Sequence, residues 1–421
     1  LRNNELILGN FNRFKLKSNS RDEVRLIGAT ADTIQFKSIT APNGKLYCLP
    51  ENVGRVLEID PKLGTSKYIG TDYGVGAIKW FYSILAPNGM IYGIPHRSNQ
   101  VLKVNPNTGE TTLIGPDLGG IVDKYQFGLL LSNGVIYCTP VRANKVLKID
   151  TNTDTVSLIG PDYGSLTEKY YNAILAPNGM IYAAPKDQVS GSNKVLKIDP
   201  TTDTVSLIGP DLGTQLGNYL RTAILAPNGI IYFIPFLQIN ILKVDTNTDT
   251  VTQLATGLAV TTDSKYNNVI LAPNGLIYCI PYMANYVLRI NPITDSIIAI
   301  GTDLGALTGK YKDVILAPNG YLYCVPAVNA SKVMKINTTN DTISFIGPDL
   351  GTGDKYAIGA LAPNGKIYYS PRTISKALEV DTNTDTVSLI GPDLGTTGNK
   401  YNFTVLAPNG KLYGLPYASG K

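Results

Sequence analysis

The sequence predicts an all-β fold, a nine-bladed β-propeller with four antiparallel strands per blade, and three observations carry that expectation. A pentapeptide of the type L-A-P-N-G recurs, with its Asn at Asn43, Asn88, Asn133, Asn178, Asn228, Asn274, Asn319, Asn364 and Asn409. The usual step is the 45 residues from Asn88 to Asn133, lengthened only between Asn178 and Asn274. Each step contains four short runs of Ile, Val, Leu and Tyr divided by Gly, Pro, Asn and Asp, which is the signature of strands joined by turns. No stretch keeps a helical period for longer than one turn.

The unit from Lys169 to Gly213 shows the elements in order: strand A "YYNAIL", strand B "MIYAAP", strand C "NKVLKID" and strand D "TVSLIG". A four-stranded sheet of this size cannot bury both its faces alone, so neighbouring units must stack. Strand A is expected innermost, lining a central channel. Between A and B, the Pro of A-P-N-G fixes φ near −65° and the Gly supplies a positive φ, giving a type I turn closed by a glycine bulge. Between C and D, "DTNTDT" (Asp150–Thr155, Asp245–Thr250, Asp381–Thr386) looks like the opening of a calcium loop. Other copies put Gly64 and Gly109 at the last Asp, so the shared property is a left-handed backbone and the segment reads as a hairpin tip. The Tyr of the "I-Y" pair stands in every copy, from Tyr47 to Tyr413, and is expected to pack blade on blade with its hydroxyl on a backbone partner.

The whole chain, 1–421, reads as one propeller domain. It opens with C-like and D-like strands at 12–18 and 23–28 and ends on A and B strands at 401–416, so a hybrid blade from 10–28 and 400–417 would remove two open sheet edges. Eight blades plus a capping piece is the alternative count. Residues 1–9 have no place in the repeat.

Composition narrows the function. A net charge of +5 over 421 residues, with no Lys/Arg block, gives no nucleic-acid track. No apolar run approaches the roughly 18 residues of a membrane span. The four cysteines (Cys48, Cys138, Cys279 and Cys324) occupy one equivalent position in different repeats, so they are not partners and no metal spacing exists. Free thiols slightly favour a reducing compartment, although a segment upstream of Leu1 could carry a signal; the location stays open. A monomer without cofactor or bound metal is expected.

Through "N-G-x-I-Y" and "V-L-K-I-D" nearly the whole chain resembles the NHL, YVTN and streptogramin-lyase-like propellers. That resemblance implies the fold. It leaves function open, since those families include lyases, lactonases, ubiquitin-ligase modules and adaptors. The histidine and metal of the lyases and the carboxylate-rich channel metal of the lactonases do not map onto this chain, whose one histidine is His96.

Other candidate chemistry is sparse. "G-P/T-D-L/Y-G" after strand D supplies Asp72, Asp117, Asp162, Asp211, Asp303, Asp349 and Asp393. Lys79, Lys124, Lys169, Lys265, Lys310, Lys355 and Lys400 precede strand A. The Asp is expected to cap its own turn and the Lys to pair with it or stay solvated; the sharper alternative is a cationic ring at the channel mouth. His96 is expected at the surface. Isolated carboxylates (Glu51, Asp187, Asp313) could still act, but an enzyme is not the favoured reading.

Comparing the copies with one another shows where they differ. Variation concentrates after the strand B proline and at the start of strand A, positions that share one face while the two constant turns share the other. The candidate binding residues on that face are Phe36, Trp80, Phe81, Tyr82, His96, Phe127, Tyr171, Lys186, Arg221, Phe236, Tyr282, Lys312, Arg372, Phe403 and Tyr417. Loops on a rigid scaffold are where recognition usually sits, and aromatic, basic and amide side chains are common at binding surfaces. The expectation is a non-catalytic scaffold recognising a protein or carbohydrate. The alternatives are a propeller lyase or lactonase with its site at the channel mouth, and an amplified repeat without a selected ligand.

Overall fold

The computed structural model describes residues 38–76, 78–165, 168–186, 193–213, 222–235, 240–257, 265–396 and 398–417. Among these, every regular element is a strand. Among the described residues no helix is long and apolar enough to cross a membrane. The chain is a β-propeller of four-stranded antiparallel blades, each in the order A-B-C-D.

Eight blades have four strands, spanning 38–69, 80–114, 129–159, 170–208, 222–255, 266–300, 311–346 and 360–390. They are numbered here one to eight. The last sheet has two strands, Tyr401–Leu406 and Leu412–Pro416. Among the described residues the count is therefore eight four-stranded blades and one two-stranded sheet, the alternative count and not nine complete blades. The strands expected at 12–18 and 23–28, which would have completed that sheet, lie outside the described residues, as do residues 1–9.

The cap nevertheless closes the circle. Leu415, with Phe403, Val405 and Tyr413, packs on Leu46, Cys48, Leu57 and Ile59 of the first blade. On its other side it meets the eighth blade through a parallel bridge between Ile358 and Phe403, with Ile358 N–H donating to Asn402 O and Thr404 N–H to Ile358 O.

Burial follows strand rank. In blade four, strand B (Ile181–Pro185) is buried throughout, while strand D (Thr204–Ile208) alternates between exposed and half-buried residues. Strand B lies between two neighbouring sheets and is apolar on both faces, whereas D is an outer edge with one face in water. The core is accordingly a series of layers between adjacent blades. Tyr182, Val195 and Ala184 of blade four meet Ile231, Leu242 and Val244 of blade five, and the same arrangement recurs round the ring. Volume is balanced within a sheet too. A Cβ on Gly359 would stand 2.2 Å from the ring of Tyr369, the bulkiest residue at a position that holds Cys, Ala or Gly in most other blades.

Both constant turns hold blade to blade. At the A–B turn, Gly89 takes φ +80° and its N–H donates to Ala86 O. Asn88 Oδ1 then accepts from Met90 N–H, while Asn88 Nδ2 donates to the Tyr92 hydroxyl and to Thr151 O in the next blade. Tyr92 donates onward to Asp154 Oδ1 at 2.6 Å, and Lys103 of strand C pairs with the other carboxylate oxygen. Asp154 is the last Asp of "DTNTDT" and adopts φ +57°, as Gly109 does at +76° in the copy before it. The hairpin-tip reading is thus correct but incomplete, because the side chain is also an interblade clasp.

The same triad recurs as Tyr137–Asp203–Lys148, Tyr182–Asp249–Lys197, Tyr232–Asp295–Lys243, Tyr278–Asp341–Arg289 and Tyr323–Asp385–Lys335. Where the next tip is Gly109, blade one replaces the cation with Glu58, which pairs with Lys45 of its own sheet. The cap repeats the clasp on the first blade: Asn409 Nδ2 and the Tyr413 hydroxyl both donate to Pro61 O.

The cysteines Cys48, Cys138, Cys279 and Cys324 are free and wholly buried. Burial raises all four thiols, Cys48 to about 12, so they act as small apolar side chains.

Candidate binding face and channel wall

On the face opposite the constant turns, a belt of backbone hydrogen bonds runs from blade to blade. Lys79 N–H donates to Glu51 O, and His96 N–H donates to Lys79 O. Lys124 N–H donates to His96 O, and Val141 N–H to Lys124 O. Later links join Lys169 to Val141 and Lys186, Lys310 to Tyr282 and Ala327, and Lys400 to Arg372 and Tyr417. Every second member is the variable residue after the strand B proline, so its main chain is fixed whatever its side chain.

The lysines of the belt do not form a cationic ring. Lys124, Lys169, Lys265, Lys310, Lys355 and Lys400 are buried, and Lys355 is fully enclosed. Three of their ammonium groups turn inward onto carbonyls: Lys355 donates to Ala327 O and Gly353 O, Lys310 to Met283 O and Leu307 O, and Lys124 to Ser98 O. Desolvation lowers them, Lys169 and Lys355 to about 8. Each Asp of G-P/T-D-L/Y-G caps its own turn as expected, for example Asp117 Oδ1 accepting from Gly119 N–H.

Strand A explains how two adjacent variable residues reach different places. Its first residue pairs with the strand B proline, as in Trp80 with Pro95 and Tyr311 with Pro326, and the register then slips by a β-bulge. The bulged residue (Phe81, Tyr171 or Asn267) stands on the face, and the next residue (Tyr82, Asn172 or Asn268) lines the channel. Trp80 belongs to neither group. It is buried in the core, with Nε1 donating to Gln100 O, and is corrected from the candidate set.

The described candidates gather into three groups. Phe81 lies 5.4 Å from the His96 ring and 6.0 Å from Phe127, which is itself 5.3 Å from Tyr82. Lys186 lies 4.1 Å over the Tyr171 ring and shares Glu168 with Arg142. Lys312 and Arg372 share Asp354, with Arg372 also 5.4 Å over Tyr417. The acids Asp123, Glu168 and Asp354 each directly precede a belt lysine and tie down the face cations, a relation that pattern reading missed. Tyr282 is half-buried and Phe403 sits in the cap. Phe36, Arg221, Phe236 and Asp187 lie outside the described residues.

His96 is not a surface residue. It is buried, with Nδ1 3.1 Å from Tyr125 O and Nε2 3.0 Å from Asp123, and desolvation lowers its pKa despite these two partners. It braces the aromatic group.

The channel wall holds an open cavity of about 330 Å³ between strands A of blades two to six. Strand A of blade three is short, Leu129–Leu130, and begins after Gly128, so the cavity reaches through to Tyr137 and Thr139 of strand B. Asn268 leads to an enclosed carboxylate beside the channel: its Nδ2 donates to Asp313 Oδ1 at 3.3 Å, and Gly359 N–H donates to Asp313 Oδ2 at 3.0 Å. Burial lifts Asp313 to about 6. Among the described residues, no group of His, Cys, Asp and Glu could hold a metal ion.

No family model matches the chain, and no curated protein does. Among solved structures it is similar to a streptogramin B lyase, at 16% identity over 70% of this chain and 91% of that one, TM-score 0.44. A catalytically inactive virginiamycin B lyase from Staphylococcus aureus with quinupristin is similar at 14% identity over 80% and 96%, TM-score 0.45. An extracellular domain assigned to a hybrid two-component system of B. thetaiotaomicron is similar at 10% identity over 93% and 51%, TM-score 0.44. These likenesses are of fold, and the neighbours differ in function.

Proposed function

We propose that the protein is a binding module whose ligand, a protein or a glycan, is met by the variable face and the channel mouth beneath it. One observation carries the reading. At most described interfaces the backbone of the face is held by the same belt, while the side chains it displays differ and include clustered aromatic rings. Recognition by side chains set on a rigid frame needs that division. The paired cations of the face suit hydrogen-bonding recognition better than simple attraction of an anion, because Asp123, Glu168 and Asp354 neutralise them.

A glycan array and a peptide library, both probed with the intact chain, test the proposal. The double variant Tyr82→Ala/Tyr282→Ala should lose the ligand found while keeping its melting temperature within a few degrees. Retained binding would remove the face from consideration.

A further inference from the structure

We infer that the channel cavity is a subsite for a neutral carbohydrate ring, an inference that rests on the binding-module reading. The lining has two unlike sectors and no charged side chain. On one side the rings of Tyr82 and Phe127 stand 5.3 Å apart, presenting aromatic surface on which the C–H face of a sugar can lie. From the neighbouring strands A, Asn172, Thr222 and Asn268 supply amide and hydroxyl groups, and Thr139 of strand B adds a hydroxyl. A polyol needs that combination, since its ring has an apolar face and a polar rim. The volume, about 330 Å³, falls at the lower end of small-molecule sites, where pockets run from about 300 Å³ upward.

Two details point to a ligand. Thr222 lines the cavity and its Oγ1 makes no hydrogen bond within the protein, so turning about χ1 to meet a ligand breaks no existing bond. Asn268 is held in one orientation, its Nδ2 on Asp313 and its Oδ1 accepting from Val269 N–H, so the channel presents a fixed amide edge. The Asp313 carboxylate behind it disfavours an acidic sugar.

Titration calorimetry with maltose, cellobiose, glucuronic acid and a mixed peptide library distinguishes the outcomes. A neutral disaccharide should bind and glucuronic acid should not. Phe127→Ala should abolish the heat, and Thr222→Val should weaken binding by about fivefold to tenfold, the loss of one hydrogen bond. Leu158→Ser, on the exposed outer strand of blade three, should leave binding unchanged. Peptide binding without sugar binding would overturn this inference and leave the module reading standing; binding of neither would overturn both. A sugar that binds Phe127→Ala and Thr222→Val as well as the parent protein would place the subsite elsewhere.

Discussion

The Tyr92 hydroxyl of blade two donates to Asp154 Oδ1 of blade three at 2.6 Å. Sixty-two residues separate the two in sequence, yet each has an equivalent partnership at five further interfaces. Repetition makes this bond measurable. Tyr92→Phe should cost about 1 kcal/mol of unfolding free energy, the typical net value of a hydrogen bond. Tyr92→Phe, Tyr182→Phe and Tyr278→Phe occupy separate interfaces, so their costs should add in urea denaturation. Strong non-additivity would show that the interfaces are coupled.

Acid should loosen the same contacts. Desolvation pushes Asp154, Asp203, Asp249 and Asp385 upward, but the hydrogen bonds from Lys and Tyr outweigh it and hold them below the ordinary carboxylate range. A depressed folded pKa gives stability that is present above the unfolded value and lost as pH falls through the folded one. Melting temperature should therefore drop below about pH 4. Asp154→Asn should be less stable than the parent at pH 7 and approach it at pH 2. Because Asp154 is partly exposed, the ionic share of that difference should be small.

Asp313 has the opposite sign. Its folded pKa, raised to about 6 by burial, means that stability is greatest with the carboxyl protonated and declines as pH rises through that value. Asp313→Asn should thus raise the melting temperature at pH 7, by an amount corresponding to at most about 2–3 kcal/mol, and have little effect at pH 3. An unchanged melting temperature at pH 7 would argue that Gly359 N–H and Asn268 fully compensate the buried charge.

Gly359 and Tyr369 should behave as a complementary pair. Gly359→Ala forces a Cβ into the tyrosine ring and should cost about 1–3 kcal/mol. In Gly359→Ala/Tyr369→Ala the overlap is gone, so the added cost of the alanine at 359 should largely vanish in a double-mutant cycle.

Ring closure by the cap can be opened selectively. Leu415 is fully buried against the first blade, and Leu415→Ala should cost about 2–5 kcal/mol. Hydrogen exchange should accelerate first in 401–416 and in strands Val56–Asp60 and Thr65–Ile69, before blades three to six. Uniform acceleration would mean that the ring opens as one unit.

The repeat made the four-strand blade, the innermost strand A and the interblade role of the tyrosine legible, because nine copies supply an internal comparison. It did not reveal the clasp at Asp154. The Gly64 and Gly109 copies point to backbone freedom, and the matching change of Lys to Glu58 sits in another strand. The belt lysines misled for a physical reason: a charged side chain normally favours solvent, and the carbonyl cages that hold Lys355 are built by loops from a neighbouring blade. His96 misled likewise, since Asp123 reaches it only through the ring geometry. The division between Phe81 on the face and Tyr82 in the channel depends on a bulge, which leaves no mark in a single strand's pattern. The blade count turned on the first 37 residues, outside the described structure.

Since the belt grips the main chain and ignores the side chain, those positions after the strand B prolines whose side chains stay partly exposed can be rewritten one at a time without loss of the belt. A combinatorial library varying the half-buried Tyr282 and Tyr417 should then yield mostly folded members, whereas variation at the buried His96, Val141 and Ala327 should cost stability. The blade order is less permissive. Transplanting the first blade in front of an Asp tip would set Glu58 against a carboxylate, so shuffled rings should assemble only where charge at each seam agrees. The molecule thus separates what can be edited freely from what must be inherited in sequence.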